Sequence, residues 1–138
     1  MPKRIAHICI LLLAVLLLTP GCDRQHAYGK IKIRQLPDKL EYRVGASDAL
    51  DLSGMEIDLY LLDGSFKETM RIEDCVCTAH DPALDEERVL DAAGRPILNQ
   101  IFIDASRVDF TRPGRYDVYL YYLGHPKPDA RFKVRIVK

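Results

Sequence analysis

Tryptophan is missing from all 138 residues, which excludes a core organised, as in antibody domains, on a buried indole packed against a disulfide. Cysteine is scarce and badly spaced for a disulfide framework. Of four, Cys9 and Cys22 lie at the N-terminal end, and Cys75 and Cys77 stand one residue apart with no distant partner. A small exported domain stapled by bridges would show more of them at wider spacing, so stability has to come from an apolar core. Excess charge of either sign is absent too, with twenty basic and twenty acidic residues. Nucleic-acid binding calls for a basic excess gathered on one face and is not expected here. There is no Gly-rich phosphate loop, no Walker segment and no His-Glu-x-x-His, and no convincing long amphipathic helix. Nothing marks an enzyme, and no cofactor is expected.

The N-terminus holds the clearest signal. Lys3 and Arg4 precede an apolar run from Ile8 to Leu18, followed by Thr19, Pro20, Gly21 and Cys22. A basic start, a short apolar middle and small residues at the cut are the order of a secretory signal. The run is shorter than the roughly 20 apolar residues of a spanning helix and ends in helix-breaking Pro20-Gly21. A cysteine directly after the small residues resembles the lipobox of bacterial lipoproteins. That resemblance implies cleavage before Cys22, diacylation of its thiol, and an exported protein held on the outer side of a cell membrane by lipid. The competing readings are an ordinary signal cut near Gly21 and an uncleaved signal anchor. Residues 1–21 would be the signal peptide, 22–29 a polar tether, and 30–138 a single domain. Removing residues 1–21 takes away Lys3 and Arg4, leaving eighteen basic against twenty acidic residues, a net charge of −2.

From Lys30 the dominant pattern is period two, which puts alternate side chains on opposite faces of a strand. Ile31 and Ile33 alternate with Lys30, Lys32 and Arg34; Leu40, Tyr42 and Val44 with Glu41 and Arg43; Ile57, Leu59 and Leu61 with Glu56, Asp58 and Tyr60. Asp63-Gly64-Ser65 then supplies turn chemistry, and Phe66 to Ile72 is expected to run back as the second arm of a hairpin. Tyr116, Val118, Leu120 and Tyr122 share a face, as do Phe132, Val134 and Ile136 after the break at Gly124 to Pro128. Short strands joined by turn-rich links predict an all-β sandwich of about seven antiparallel strands. The segment 80–99 is the least strand-like. Asp81 could cap a helix with Pro82 in its first position, or a turn at Ala92-Ala93-Gly94 could be flanked by short extended pieces, with one helical turn at 82–87. Either way it is an insertion, and insertions on rigid scaffolds are where binding is often placed.

Several blocks occur in a telling order: Tyr42-Arg43-Val44-Gly45, Leu50-Asp51-Leu52-Ser53-Gly54-Met55, Asp63-Gly64-Ser65, and Thr111-Arg112-Pro113-Gly114-Arg115-Tyr116-Asp117-Val118. Together they resemble the bacterial immunoglobulin-like domains found repeated in Gram-positive surface proteins, over roughly residues 30 to 137. The resemblance implies an immunoglobulin-like sandwich serving as a non-catalytic binding or spacer module. Tyr116, just after Pro113-Gly114, would act as a tyrosine corner by bonding its hydroxyl to backbone upstream.

Two side-chain sets invite a functional reading. Cys75, Cys77 and His80 supply soft donors suited to zinc or copper, which makes a small envelope metal-binding or thiol-redox protein the alternative function. A fourth ligand would have to come from His26, His125 or a carboxylate. A Cys75–Cys77 bridge is opposed by strand geometry, since alternate Cβ atoms lie about 6.5 to 7 Å apart. Pairing with another protein or a second copy, or simple packing of two small apolar residues, also stays open. The second set is Tyr119 and Tyr121, placed by alternation on the outward face of their strand. There they could stack on a carbohydrate or anchor a protein partner; cross-strand packing is the plainer alternative.

Overall fold

The computed structural model describes residues 28–80, 92–94, 99–122 and 125–138. The expected signal segment, Cys22 and the first part of the expected tether lie outside them, as do the helical turn expected at 82–87 and His26. The described residues form eight strands and one 3-10 turn, with no α-helix. In chain order the strands are β1 (Tyr28–Gln35), β2 (Glu41–Arg43), β3 (Glu56–Leu61), β4 (Phe66–Arg71), β5 (Val76–Ala79), β6 (Gln100–Asp104), β7 (Gly114–Tyr122) and β8 (Ala130–Val137). β1 thus begins at Tyr28, within the stretch read as tether.

Two sheets result, one ordered β1-β3-β4 and the other β2-β8-β7-β6-β5. The described residues are all-β, and both sheets feed one core. Ile31, Ile57, Leu59 and Met70 come from the smaller sheet, and Ile101, Val118, Leu120, Tyr122, Phe132, Val134 and Ile136 from the larger. Met70 and Ile101 apart, these are residues that period two assigns to the inner face, and Ile57 and Leu59 of β3 are fully buried. Val44 departs from the pattern: it follows the last residue of short β2 and is 39% exposed.

The β3–β4 hairpin forms where turn chemistry placed it. The Leu61 amide donates to Ser65 O at 2.9 Å across the turn, and Gly64 takes φ +85°, a left-handed conformation that costs glycine little. Ser65 donates both its amide (2.8 Å) and its hydroxyl (2.6 Å) to Asp63. The same Asp-x-Ser/Thr turn recurs at Asp51–Ser53, Asp104–Ser106 and Asp109–Thr111, with hydroxyl contacts of 2.6 Å in each. A short acceptor two residues before a backbone N–H mimics a turn of main chain, so these links hold their shape without glycine at every bend.

Two features correct the sequence-based picture. Not all strands are antiparallel: β2 runs parallel to β8, and β5 parallel to β6. Parallel neighbours cannot be joined by a tight hairpin, so β5 and β6 require the long connection that the 80–99 segment provides. Of that segment, Ala92 to Gly94 form a turn with Gly94 at φ +75°, in line with the turn reading. The second correction is β6 itself, which the alternation missed. Gln-Ile-Phe-Ile-Asp carries apolar residues in succession because Gln100 (0% exposed) and Phe102 (4%) are buried on the face away from the core, while Ile101 is buried on the core side.

Candidate functional site

The chemistry-bearing residues gather at the β5 end of the larger sheet. The register pairs Thr78 with Phe102 and Phe102 with Tyr121, and one step along Asp104 with Tyr119. These residues share the outer face, opposite the core. His80 continues the β5 ladder, its amide donating to Ile103 O at 2.9 Å. Its ring stacks on Tyr121 with centroids 4.0 Å apart and planes 11° from parallel.

Tyr119 and Tyr121 do share a face, but they are not a pair of exposed rings. Tyr121 is 9% exposed, lying beneath His80 in a second buried layer with Phe102. Tyr119 is half-buried, with the Arg107 guanidinium 5.3 Å from its ring centroid and an Arg107 nitrogen 3.4 Å from its hydroxyl. Cation and ring face attract through the ring quadrupole. Asp104 completes the group. Its partial burial raises its pKa, but the bonds from Ser106 outweigh that and, with His80 and Arg107 nearby, hold the carboxyl below its ordinary value. The outer face thus presents a planar stack, a cation and a carboxylate, in place of two open rings.

Cys75 and Cys77 occupy different surroundings. Cys75 packs against the core and its thiol donates to Arg71 O at 3.3 Å. Burial, with Cys77, Asp74 and Glu73 nearby, pushes that thiol up to about 12. A thiol so raised is neutral at physiological pH and neither attacks nor ligates readily. Cys77 pairs with Ile101, which pairs with Tyr122, so its side chain falls on the core side of β5 at an exposed edge. Burial raises its thiol as well. Strand alternation therefore sends Cys77 and His80 to opposite faces of the sheet. Both cysteines are free thiols, and among the described residues no three His, Cys, Asp or Glu side chains are grouped to hold a metal ion. His125, the other ligand considered, sits instead in the β7–β8 link with its Nδ1 3.0 Å from Asp129, whose carboxylate also accepts from the Tyr122 amide at 2.9 Å.

On the core side of the same edge lies a shallow groove of about 520 Å³, with Leu50, Leu52, Cys77, Ile103, Val108 and Phe110 in its wall. A second depression of about 770 Å³ adjoins it, lined by the Gly45–Asp48 link and by Asp109 and Thr111. The Asp104–Ser106 and Asp109–Thr111 turns fix the loop that separates them. The repeated Asp-x-Ser/Thr spacing was the available signal for that fixed loop; only the Asp63 example stood out, because a glycine marked it.

Among the described residues, no helix is long and apolar enough to cross a membrane. No family model matches the chain, and no curated protein or solved structure matches it either.

Proposed function

We propose that the protein is exported and held at the cell membrane by lipid on Cys22, and that residues 30–138 form an immunoglobulin-like, non-catalytic binding or spacer module. One observation carries the domain reading: the blocks that resemble bacterial immunoglobulin-like domains are engaged in holding the scaffold. Tyr42 is buried, and its hydroxyl accepts from the Asp51 amide at 2.9 Å, tying β2 to the link that leads into β3. Asp51 and Asp63 cap their turns through Ser53 and Ser65. The Tyr116 hydroxyl donates to Arg112 O at 3.0 Å, the bond of a tyrosine corner, and its ring covers Gly114 so closely that a Cβ there would lie 3.2 Å from it. Residues spent on shape are what a spacer or presenting scaffold needs.

Support for a ligand-facing role rests on the outer face of β5–β6–β7, where Tyr119, Arg107 and His80 offer stacking and charge to a protein or carbohydrate at the cell surface. The metal or thiol-redox alternative is less well supported, because its three donors do not converge.

The anchor is tested by feeding a clickable palmitate analogue to bacteria expressing the full chain. Label that is present in the native chain and lost in Cys22→Ser, with the protein shifting from the membrane to the soluble fraction, is the expected result. Unlabelled native protein would overturn the anchor and leave the domain reading to stand on its own.

A further inference from the structure

Each sheet has two edges, and their chemistry is unequal. The edge strands are β1 and β4 in the smaller sheet, β2 and β5 in the larger. β1 carries Lys30, Lys32 and Arg34; β4 carries Lys67, Glu68 and Arg71; β2 carries Glu41 and Arg43. Charged side chains on an edge discourage pairing with another chain. β5 reads Val-Cys-Thr-Ala and has none. It is nevertheless open to solvent: Val76 is 36% exposed, and Cys77 and Ala79 are exposed as well.

The backbone of β5 is half used. Val76 donates to Asn99 O and His80 to Ile103 O, both at 2.9 Å, and these bonds to β6 recur on alternate residues. By the same alternation the N–H and C=O groups of Cys77 and Ala79 point away from β6. Among the described residues no strand lies on that side.

We propose that this edge is a self-recognition site, at which two copies of the chain pair antiparallel through β5 with Cys77 on the twofold axis. The sequence suits a second copy because no charged side chain lies from Cys75 to Ala79. Centring on Cys77 sets Val76 opposite Thr78 of the second copy and Cys75 opposite its Ala79, while Asp74, in the 3-10 turn Ile72–Asp74, stays outside the ladder. No like charges meet. Cys77 then exchanges hydrogen bonds in both directions with its counterpart, and the Ala79 N–H reaches the Cys75 carbonyl of the second copy, again twice by symmetry. The Cys75 N–H is already given to Ile72 O, so the ladder ends there. The pairing joins two five-stranded sheets into one continuous sheet and requires no disulfide. It rests on the edge alone and not on the lipid anchor.

The test uses the full chain carrying Cys9→Ser and Cys22→Ser throughout, solubilised in mild detergent and treated with a short bis-maleimide. A crosslinked dimer is expected from this parent chain and from Cys75→Ser, and none from Cys77→Ser. Val76→Lys, a charge at an exposed edge position, should lower the dimer yield about tenfold, whereas Val76→Thr should leave it unchanged. Register is read independently in a Cys75→Ser, Cys77→Ser background. Chains bearing Val76→Cys and chains bearing Thr78→Cys should form mixed disulfide dimers when oxidised together, and Val76→Cys alone should not. No dimer from the parent chain, equal yields from Val76→Lys, adducts that contain a different protein, or disulfides from Val76→Cys alone would each overturn the proposal.

Discussion

The outer faces of the two sheets differ in what they bury. On the smaller sheet the outward residues of β3 are Glu56, Asp58 and Tyr60, and they meet their neighbours as surface groups do. Arg34 lies 3.7 Å from Glu56 and 3.5 Å from Asp58, Lys32 sits over the Tyr60 ring, and Thr69 donates to Asp58 at 2.7 Å. Exposed pairs of this kind contribute little to stability. On the larger sheet the outward residues of β6 and β7 include Gln100, Phe102 and Tyr121, all buried. One sheet is sided and the other, at its β5 end, is buried on both faces. A two-sided region has its aromatic side chains fixed in place, and it is next to this region that the uncharged edge lies.

The largest break in that comparison should come from Phe102→Ala. A buried phenylalanine truncated in a packed layer costs about 3–5 kcal/mol, and the loss should match that of a core truncation such as Leu59→Ala. Tyr60→Ala, the corresponding outward aromatic of the smaller sheet, should cost about 1 kcal/mol, in keeping with a cross-strand pair on a surface. Urea midpoints at a fixed m-value measure both; equal and small losses would mean that the outer layer on the larger sheet is not packed.

A smaller effect is expected at Tyr42→Phe. Its ring is buried in the core, so the substitution keeps the packing and removes only the hydroxyl, leaving the Asp51 amide without its 2.9 Å acceptor. An amide orphaned in this way costs about 1–3 kcal/mol. Tyr116→Phe removes a bond at a more exposed corner and should cost less. Chemical denaturation of the two variants side by side ranks the links, and a larger loss at Tyr116 would reverse the ranking.

The acid limb sharpens the comparison because it touches both regions alike. Asp51, Asp63 and Asp109 are held below the ordinary carboxylate range chiefly by bonds from the hydroxyl and amide two residues on, and Asp104 by the same bonds against its partial burial. A carboxylate with a lowered folded-state pKa stabilises the fold above its unfolded value, and that contribution is lost as pH falls through the folded value. Stability should therefore be flat from neutral pH down to about 5 and fall below about 4. Asp63→Asn and Asp109→Asn should each flatten that fall by a similar, small amount. A slope unchanged by both would assign the acid loss to other groups.

The same contrast explains what was legible in the sequence. Ile57, Leu59, Val118, Val134 and Ile136 were readable as core because each alternates with polar neighbours, and a strand with one wet face announces itself in period two. Gln100 to Asp104 gave no such signal, since burial on both faces erases alternation. The parallel pairings of β2 and β5 were hidden for a different reason: pairing partners far apart in the chain leave no local pattern. At the site, alternation correctly put Tyr119 and Tyr121 on one face but could not tell that His80 covers Tyr121. The Cys75, Cys77 and His80 spacing looked like a ligand set in one dimension, and the pleat of β5 separated it.

Amide hydrogen exchange at single-residue resolution, on the full chain at rising concentration, tests most directly whether the β5 edge is the interacting part of the molecule. Cys77 and Ala79, whose amides point away from β6, should gain protection as concentration rises, while Val76 and His80, already bonded to Asn99 and Ile103, should hold constant. Uniform protection across all four, or none gained at Cys77 and Ala79, would contradict it.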